Sequence, residues 1–540
     1  MGKKKSVVLM ILITIVMVAL CILSAFPTIY VGSLDIWNPA VMQFDLGVDL
    51  GGNVYAWDWE KKEMAPVARK GDSGVYYVGG GYSTYYYPTG VISASEYQTN
   101  VQFLTGDELK EEEAKYVKYN GLYLSTDAKD GVLEEDVNGT LVGKKEDGSE
   151  VKYSIKESFK TAFAAATKEI AARYAAKGYE DYLVACVDDY ALRIEIPASQ
   201  VITSEISQYP TAKASAELAF NCFLLTDKMV FQTNGSPVEE MKDEDVTIKD
   251  IIKSIAVKSQ YNYVYIEIKL TGKGIQMLNT FKGSSTSSTS STLDLCVGDY
   301  KMALNSNHFD GDVIKYTFGE DADKHNAETL AIMLKSAYEH GGYDITFERG
   351  DIHAFAPKYN NNSLYFAFGA TLLVMIGLVV FSIVKFGKFG VVNAYATVSY
   401  FIITSLCFAF ITKGVFVVTL GSFLIYLLGL VLTNVFQMHI YNAIKAEFNL
   451  GKTVESSVKG GYKKTIWNVV DVYAVLVLAS LALIIGAAGL QTLAFQALIC
   501  VIAAAFINLA WARLINFIFL SASKNKYKYF RFVREDDDDE

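Results

Sequence analysis

The sequence predicts a multi-pass α-helical membrane protein of six spans, with one large extracytoplasmic α+β domain between spans one and two. Three observations predict it. Apolar residues make up 51% of the 540 positions, more than an ordinary water-soluble chain carries. They gather in one stretch at the N-terminus and five in the last third, each of about 20 residues and so long enough for a helix to cross a hydrocarbon core. Lysine and arginine collect on one side of these stretches, as the positive-inside rule requires.

Span one covers residues 6–27 behind Lys3, Lys4 and Lys5. It reads as an anchoring helix rather than a cleaved leader, because it is long and Ser24-Ala25-Phe26-Pro27 offers no clean small-x-small cleavage site. The later spans are expected at 364–384, 391–412, 414–438, 466–488 and 493–520. With the N-terminus in the cytoplasm, these spans put Lys385, Lys388, Lys445, Lys452, Lys459, Lys463, Lys464, Lys524, Lys526, Lys528, Arg531 and Arg534 on the cytoplasmic side; between the later spans, the opposite side receives Lys413. Four domains follow: 1–31, N-terminus and first span; 32–362, extracytoplasmic; 363–520, a five-helix block; 521–540, a cytoplasmic tail, basic and then acidic. The net charge of −10 comes largely from the outer domain and the solvated run Glu535 to Glu540.

Within the outer domain, Val264, Ile266, Ile268 and Leu270 alternate with polar or amphipathic neighbours as in a half-buried strand. Residues 159–176 place Phe163, Ile170 and Ala171 on a helical face, and 326–338 form a second helix ended by Gly341-Gly342. Charged, turn-rich residues 107–156 look like an insertion, and the Ser/Thr tract 283–292 like a flexible loop tip. The tyrosines of Tyr76-Tyr77 and Tyr85-Tyr86-Tyr87 are expected to pack within the domain, an exposed surface for unfolded chains being the alternative.

Signals for catalysis are poor. Of six cysteines, Cys21, Cys407 and Cys500 lie in or near spans and Cys186, Cys222 and Cys296 in the outer domain; no CxxC pair occurs. Cys186, in the apolar run Leu183 to Val187, is expected to be a buried free thiol, and one outer disulfide is left open. The five histidines lack metal-ligand spacing, and no HExxH or GxSxG occurs. Gly451-Lys452-Thr453 imitates the end of a phosphate-binding loop, but Ala446 stands where the first glycine is required, so a turn between helices is expected. Neither enzyme activity, cofactor, metal nor nucleic acid is indicated, and any work must draw on a partner or on the membrane gradient.

An ordered series of short motifs resembles the SecD/SecF family of protein-export membrane proteins, in the resistance-nodulation-division superfamily. Leu46-Gly47-Val48-Asp49-Leu50-Gly51-Gly52 is similar to its "LGLDLRGG" signature without the arginine. Glu169 to Arg173 and Leu192 to Pro197 resemble the "IRRRV" helix and "RIVVQLPG" strand, Thr271 to Gly274 the "FTxEG" turn, and Ala327 to Ser336 "AxDLAxxLRSG". In the membrane block, Ile444 to Phe448 with Gly451-Lys452 resembles "RIKEELRxGK", and Gly461 to Lys464 with Val470-Asp471 resembles "GFKRAFxTILDAN". The resemblance implies ferredoxin-like elements in the outer domain, a membrane bundle shared with a SecF-like partner, and proton-motive-force-driven assistance to unfolded exported polypeptides leaving the SecYEG channel.

One departure bears on mechanism. The family's fourth span carries "VDANV", whose aspartate is held to carry the proton; counted back from Gly451, that aspartate falls on Val435 and the asparagine on Gln437. The polar residues nearby, Thr433, Asn434 and Gln437, do not titrate near neutral pH. Two charges remain inside predicted spans: Asp471, about a turn into span five from the cytoplasmic side, and Arg513, about two turns from the cytoplasmic end of span six. At such depth each favours a partner, so the pair is expected to form a bundle-fixing ion pair or a proton relay. Two other function classes stay open: a superfamily-type transporter of lipids or small amphiphiles, and a non-energised membrane-anchored binding scaffold. The single six-span half argues against the first.

Overall fold

The computed structural model describes residues 3–25, 46–51, 80–179, 181–198, 217–242, 246–260, 263–284, 293–318, 324–343, 345–359, 363–411, 417–486 and 490–523, with short strands between 29 and 77. They form two compact units, one containing the membrane helices and one α+β.

In the membrane unit six helices are long and apolar enough to cross a bilayer. Span one is Lys3–Ala25, span two Ser363–Phe386 and span three Lys388–Leu406, which continues through a π-turn at Cys407–Ile411. Span four is Leu420–Asn449 and span five Val454–Gly486. Span six comprises Gln491–Phe506, a π-turn at Ile507–Trp511, and Ala512–Ala522.

Span four starts six residues later than hydropathy suggests. Thr419 and Ser422 form a capping box, the Thr419 hydroxyl accepting from Ser422 N at 3.3 Å and the Ser422 hydroxyl from Thr419 N at 2.9 Å. The apolar Val417-Val418 before the cap is extended, and Val418 forms a parallel bridge with Leu46. Span four also runs eleven residues past Met438, and span five begins twelve before Ile466. Hydropathy reports the hydrocarbon thickness, whereas these helices continue beyond it to Gly451, whose φ of +87° ends span four. At that end Lys452 pairs with Glu447, so the Gly-Lys-Thr turn is a helix connection. Spans four and five approach closely at Gly461, where a Cβ would lie 2.8 Å from both Ile444 N and Ile444 Cα. Across spans one, three and six, Thr14 bonds the Tyr395 hydroxyl, Ser6 bonds Ser521, and Trp511 Nε1 donates to Ser399 Oγ at 2.8 Å.

The α+β unit is built on a five-stranded sheet in the order Leu183–Val187, Ala191–Pro197, Gly81–Pro88, Phe347–Arg349, with His353–Phe355 also pairing Gly81–Pro88. Two further four-stranded sheets follow, one centred on Met229–Thr233 and Leu293–Val297, the other on Tyr263–Leu270 and Val313–Thr317. In Tyr263–Leu270 the expected alternation is present, with Val264, Ile266, Ile268 and Leu270 all buried. The expected helices are Glu157–Ala176 and Lys324–His340; Phe163 and Ile170 of the first are buried, while Ala171 lies on the flank, and the second ends at Gly341 and Gly342, both with positive φ. Residues 107–156 hold the helix Asp107–Ala114 and five short strands in two small sheets. Of the Ser/Thr tract, 285–292 lie outside the described residues, as do Lys413, Gly52 and the tail from 524.

Two expectations about cysteines change. Cys186 is exposed, because Leu183–Val187 ends the sheet and that side chain points away from the core; its thiol donates to Asp189 O at 2.9 Å. Cys222 and Cys296 are buried and free, so no disulfide joins the outer cysteines. Tyr86 is fully buried and its hydroxyl lies 2.7 Å from both the Tyr174 hydroxyl and Phe220 O.

The helix Glu157–Ala176 also buries an ionic cluster. Arg173 Nε donates to Ser336 Oγ at 2.8 Å, Nη1 to Phe223 O at 3.0 Å and Leu225 O at 2.6 Å, and Nη2 to Glu169 Oε1 at 3.4 Å. The second carboxylate oxygen of Glu169 lies 3.1 Å from His340 Nε2. Burial pushes the Glu169 carboxyl up, with Arg173 and His340 opposing.

Candidate functional site: a loop clasp and an uncharged polar belt

The signature segment Leu46 to Gly51 ties together two span ends. Gly47 N donates to Val418 O at 3.0 Å, and Asp49 Oδ2 accepts from Leu420 N at 2.8 Å, capping the positive end of span four. Toward span two, Gly51 N donates to Ser363 Oγ at 2.7 Å and Leu364 N to Gly51 O at 3.0 Å; Lys358 N and Tyr359 N bond Val48 O and Asp49 O. Leu50 is fully buried. Asp49 Oδ1 is buried without a hydrogen-bond partner. Burial pushes the Asp49 carboxyl above its ordinary range, outweighing the N–H groups of Leu420, Asp49 and Leu50 and the Lys358 charge.

Inside the bundle, span four presents Thr433, Asn434 and Gln437 to the interior, all fully buried. Asn393 Nδ2 on span three donates to Ser382 Oγ on span two and to Asn434 Oδ1 on span four, both at 2.6 Å. Thr397 Oγ1 donates to the same Asn434 oxygen at 3.2 Å, and Asn434 Nδ2 returns to Leu430 O at 2.8 Å. One turn on, Gln437 Nε2 donates to Asn508 Oδ1 at 2.6 Å, and Asn508 Nδ2 reaches the Tyr473 hydroxyl at 2.5 Å. Asn508 sits in the π-turn of span six, a helix irregularity that re-aims side chains. The belt therefore ties spans two to six through amides and hydroxyls. It binds the helices through neutral groups. Thr433 contributes only locally, its hydroxyl donating to Gly429 O at 2.9 Å.

Val435 lies outside the belt. It is 51% exposed, as expected for a residue about 160° around the helix from Thr433 and Gln437. A carboxylate there would point away from the interior of this chain.

Asp471 and Arg513 are not brought together: both are exposed, and no ion pair joins them among the described residues. The Arg513 guanidinium lies over the rings of Tyr462, 5.7 Å from its centroid, and Phe517, at 6.0 Å. Tyr462 and Asp471 are nine residues apart on span five, about 180° around the helix and about 13 Å along it. A guanidinium stacked on one cannot meet the other. Asn393, Ser382, Thr397, Asn508 and Tyr473 went unnoticed in the sequence, although lone asparagines within apolar spans were a usable signal.

No family model matches the chain. The protein translocase subunit SecD of Borreliella burgdorferi is 26% identical to it over 214 residues, 39% of this chain and 35% of that protein. The structure of SecDF in its super-membrane-facing form matches with a TM-score of 0.51 at 13% identity, covering 96% of this chain and 58% of that one. By sequence the chain is similar to part of a SecD subunit, and by fold to SecDF. The chain thus spans 35% of the length of its SecD relative and 58% of the SecDF chain, while the SecDF likeness runs through nearly all of its own length. A multi-pass membrane unit with an α+β domain between its first two spans fits this SecDF-like fold.

Proposed function

We propose that this SecD-like chain is a non-enzymatic accessory of the Sec protein translocase, assisting export of unfolded polypeptides across the cytoplasmic membrane with both termini in the cytoplasm. The observation that carries the reading is the clasp: the segment resembling the family signature is the one that joins spans two and four through Gly47, Asp49 and Gly51. The proton motive force would be drawn on together with a SecF-like partner beside the SecYEG channel. Among the described residues the belt has no carboxylate, so proton coupling falls mainly to that partner. Asp471, exposed on span five, is the carboxylate that would remain for a relay, while Arg513 reaches from span six over Tyr462 on span five.

Depleting the protein from cells that keep their proton gradient should slow secretion; unchanged secretion kinetics would overturn the reading. Asp471→Asn should reduce export at normal protein abundance if the residue relays protons. Loss of the protein itself would assign Asp471 a structural role.

A further inference from the structure

The strand Gly81–Pro88 sends alternate side chains to opposite faces of its sheet. Tyr86 enters the core. Tyr85 and Tyr87 emerge on the other face, where their rings stack with centroids 6.1 Å apart at an interplanar angle of 16°. They lie in a groove of about 360 Å³ that Glu96, Glu348, Arg349 and Asp351 also line.

The charges there do not cancel. Arg349 is engaged within the fold, its Nε donating to Asn221 Oδ1 at 2.7 Å and its Nη1 to Gly350 O at 2.9 Å. Glu96, Glu348 and Asp351 are exposed, and none is in an ion pair among the described residues. Nor do they belong to a set that could hold a metal ion among those residues. Three carboxylates beside a tyrosine pair repel nucleic acid and suit organic cations, whose charge the ring faces attract. Glu348 lies opposite Tyr87 in the sheet register, which puts its side chain on the groove face.

We propose that this groove holds an extended segment of unfolded polypeptide by its lysine and arginine side chains, Tyr85 and Tyr87 supplying the ring faces and Glu96, Glu348 and Asp351 the counter-charge. The proposal rests on the reading that the protein assists export of unfolded polypeptides, and adds where on the α+β unit they are held and by which side chains. It also divides the tyrosine cluster between two roles, Tyr86 packing the core and its neighbours facing the groove.

The test uses the full-length protein in phosphatidylcholine nanodiscs, whose lipid carries no net charge, with a fluorescent, unstructured, lysine- and serine-rich peptide as probe. By anisotropy at low salt, this peptide should bind about tenfold more tightly than its counterpart with glutamate in place of lysine. The variant Glu96→Gln, Glu348→Gln, Asp351→Asn changes only exposed groups and should lose that preference. Tyr85→Leu with Tyr87→Leu should weaken binding of the basic peptide about two- to fivefold. Equal binding of the two peptides, or a preference that survives in the triple variant, would overturn the proposal. Unchanged secretion on depletion, with the peptide preference intact, would remove the translocase reading and leave the groove. A secretion defect without peptide preference would do the reverse.

Discussion

In the α+β unit the ionisable side chains Arg173 and Glu169 are buried together, Arg173 held by four partners and Glu169 by two, whereas the belt of the membrane unit between Ser382 and Tyr473 uses amides and hydroxyls alone. The difference follows from what surrounds each site. A charge buried in a water-facing domain can be offset by carbonyls and a counter-ion over a short distance from solvent. A charge inside a bilayer has no nearby water, and even a paired one is costly, so neutral hydrogen bonds are the cheaper way to join helices.

Removing one partner from the ionic cluster should have the largest effect. Arg173→Met leaves Glu169 with His340 alone and removes the donor to Phe223 O and Leu225 O, and should cost about 3–5 kcal/mol, read by pulse proteolysis of the α+β unit; a cost near zero would show that water reaches Glu169 and weaken the contrast. Next is the close approach of spans four and five. Gly461→Ala places a methyl against Ile444 backbone atoms and should cost about 1–3 kcal/mol, measured by SDS-driven unfolding in mixed micelles.

The belt itself should respond less. Asn434→Leu removes a bond from Asn393 and one from Thr397, and membrane hydrogen bonds are individually worth about 0.6 kcal/mol and at most about 1.7. A loss as large as that of Arg173→Met would mean that the two regions are not different in kind.

The smallest effect is a slope. Burial makes the folded protein hold the Asp49 proton more tightly than the unfolded chain does, so its contribution to stability falls as pH rises from the ordinary carboxylate value through the raised one. Asp49→Asn keeps an acceptor for Leu420 N–H and should remove that part of the slope. Comparing the two proteins isolates it from Glu169, which burial shifts the same way.

How much of this was legible varies by residue. Tyr263–Leu270 and Lys324–His340 could be read because their periodicity is local, and Asp49 could be singled out as part of a motif. The loop's destination could not be read, since Val418, Leu420 and Ser363 lie more than 300 positions away. Asp471 and Arg513 were matched by depth alone. Depth along a span follows from counting residues, but which way a side chain faces around the bundle depends on how neighbouring helices pack, and Tyr462 took the face that Asp471 would have needed. Cys186 was misread for a related reason: an apolar run marks a strand, not its position at the edge of a sheet.

The sequence by itself determined the six apolar spans, the polar domain between the first two and the lack of a carboxylate in the apolar stretch 414–438 of span four, because hydropathy and residue identity are properties of single segments. Only the tertiary structure decided which polar residues form the belt, where the signature loop docks, and that Val435 faces outward. Those depend on the rotation and pairing of helices, which are set by side chains far apart along the chain.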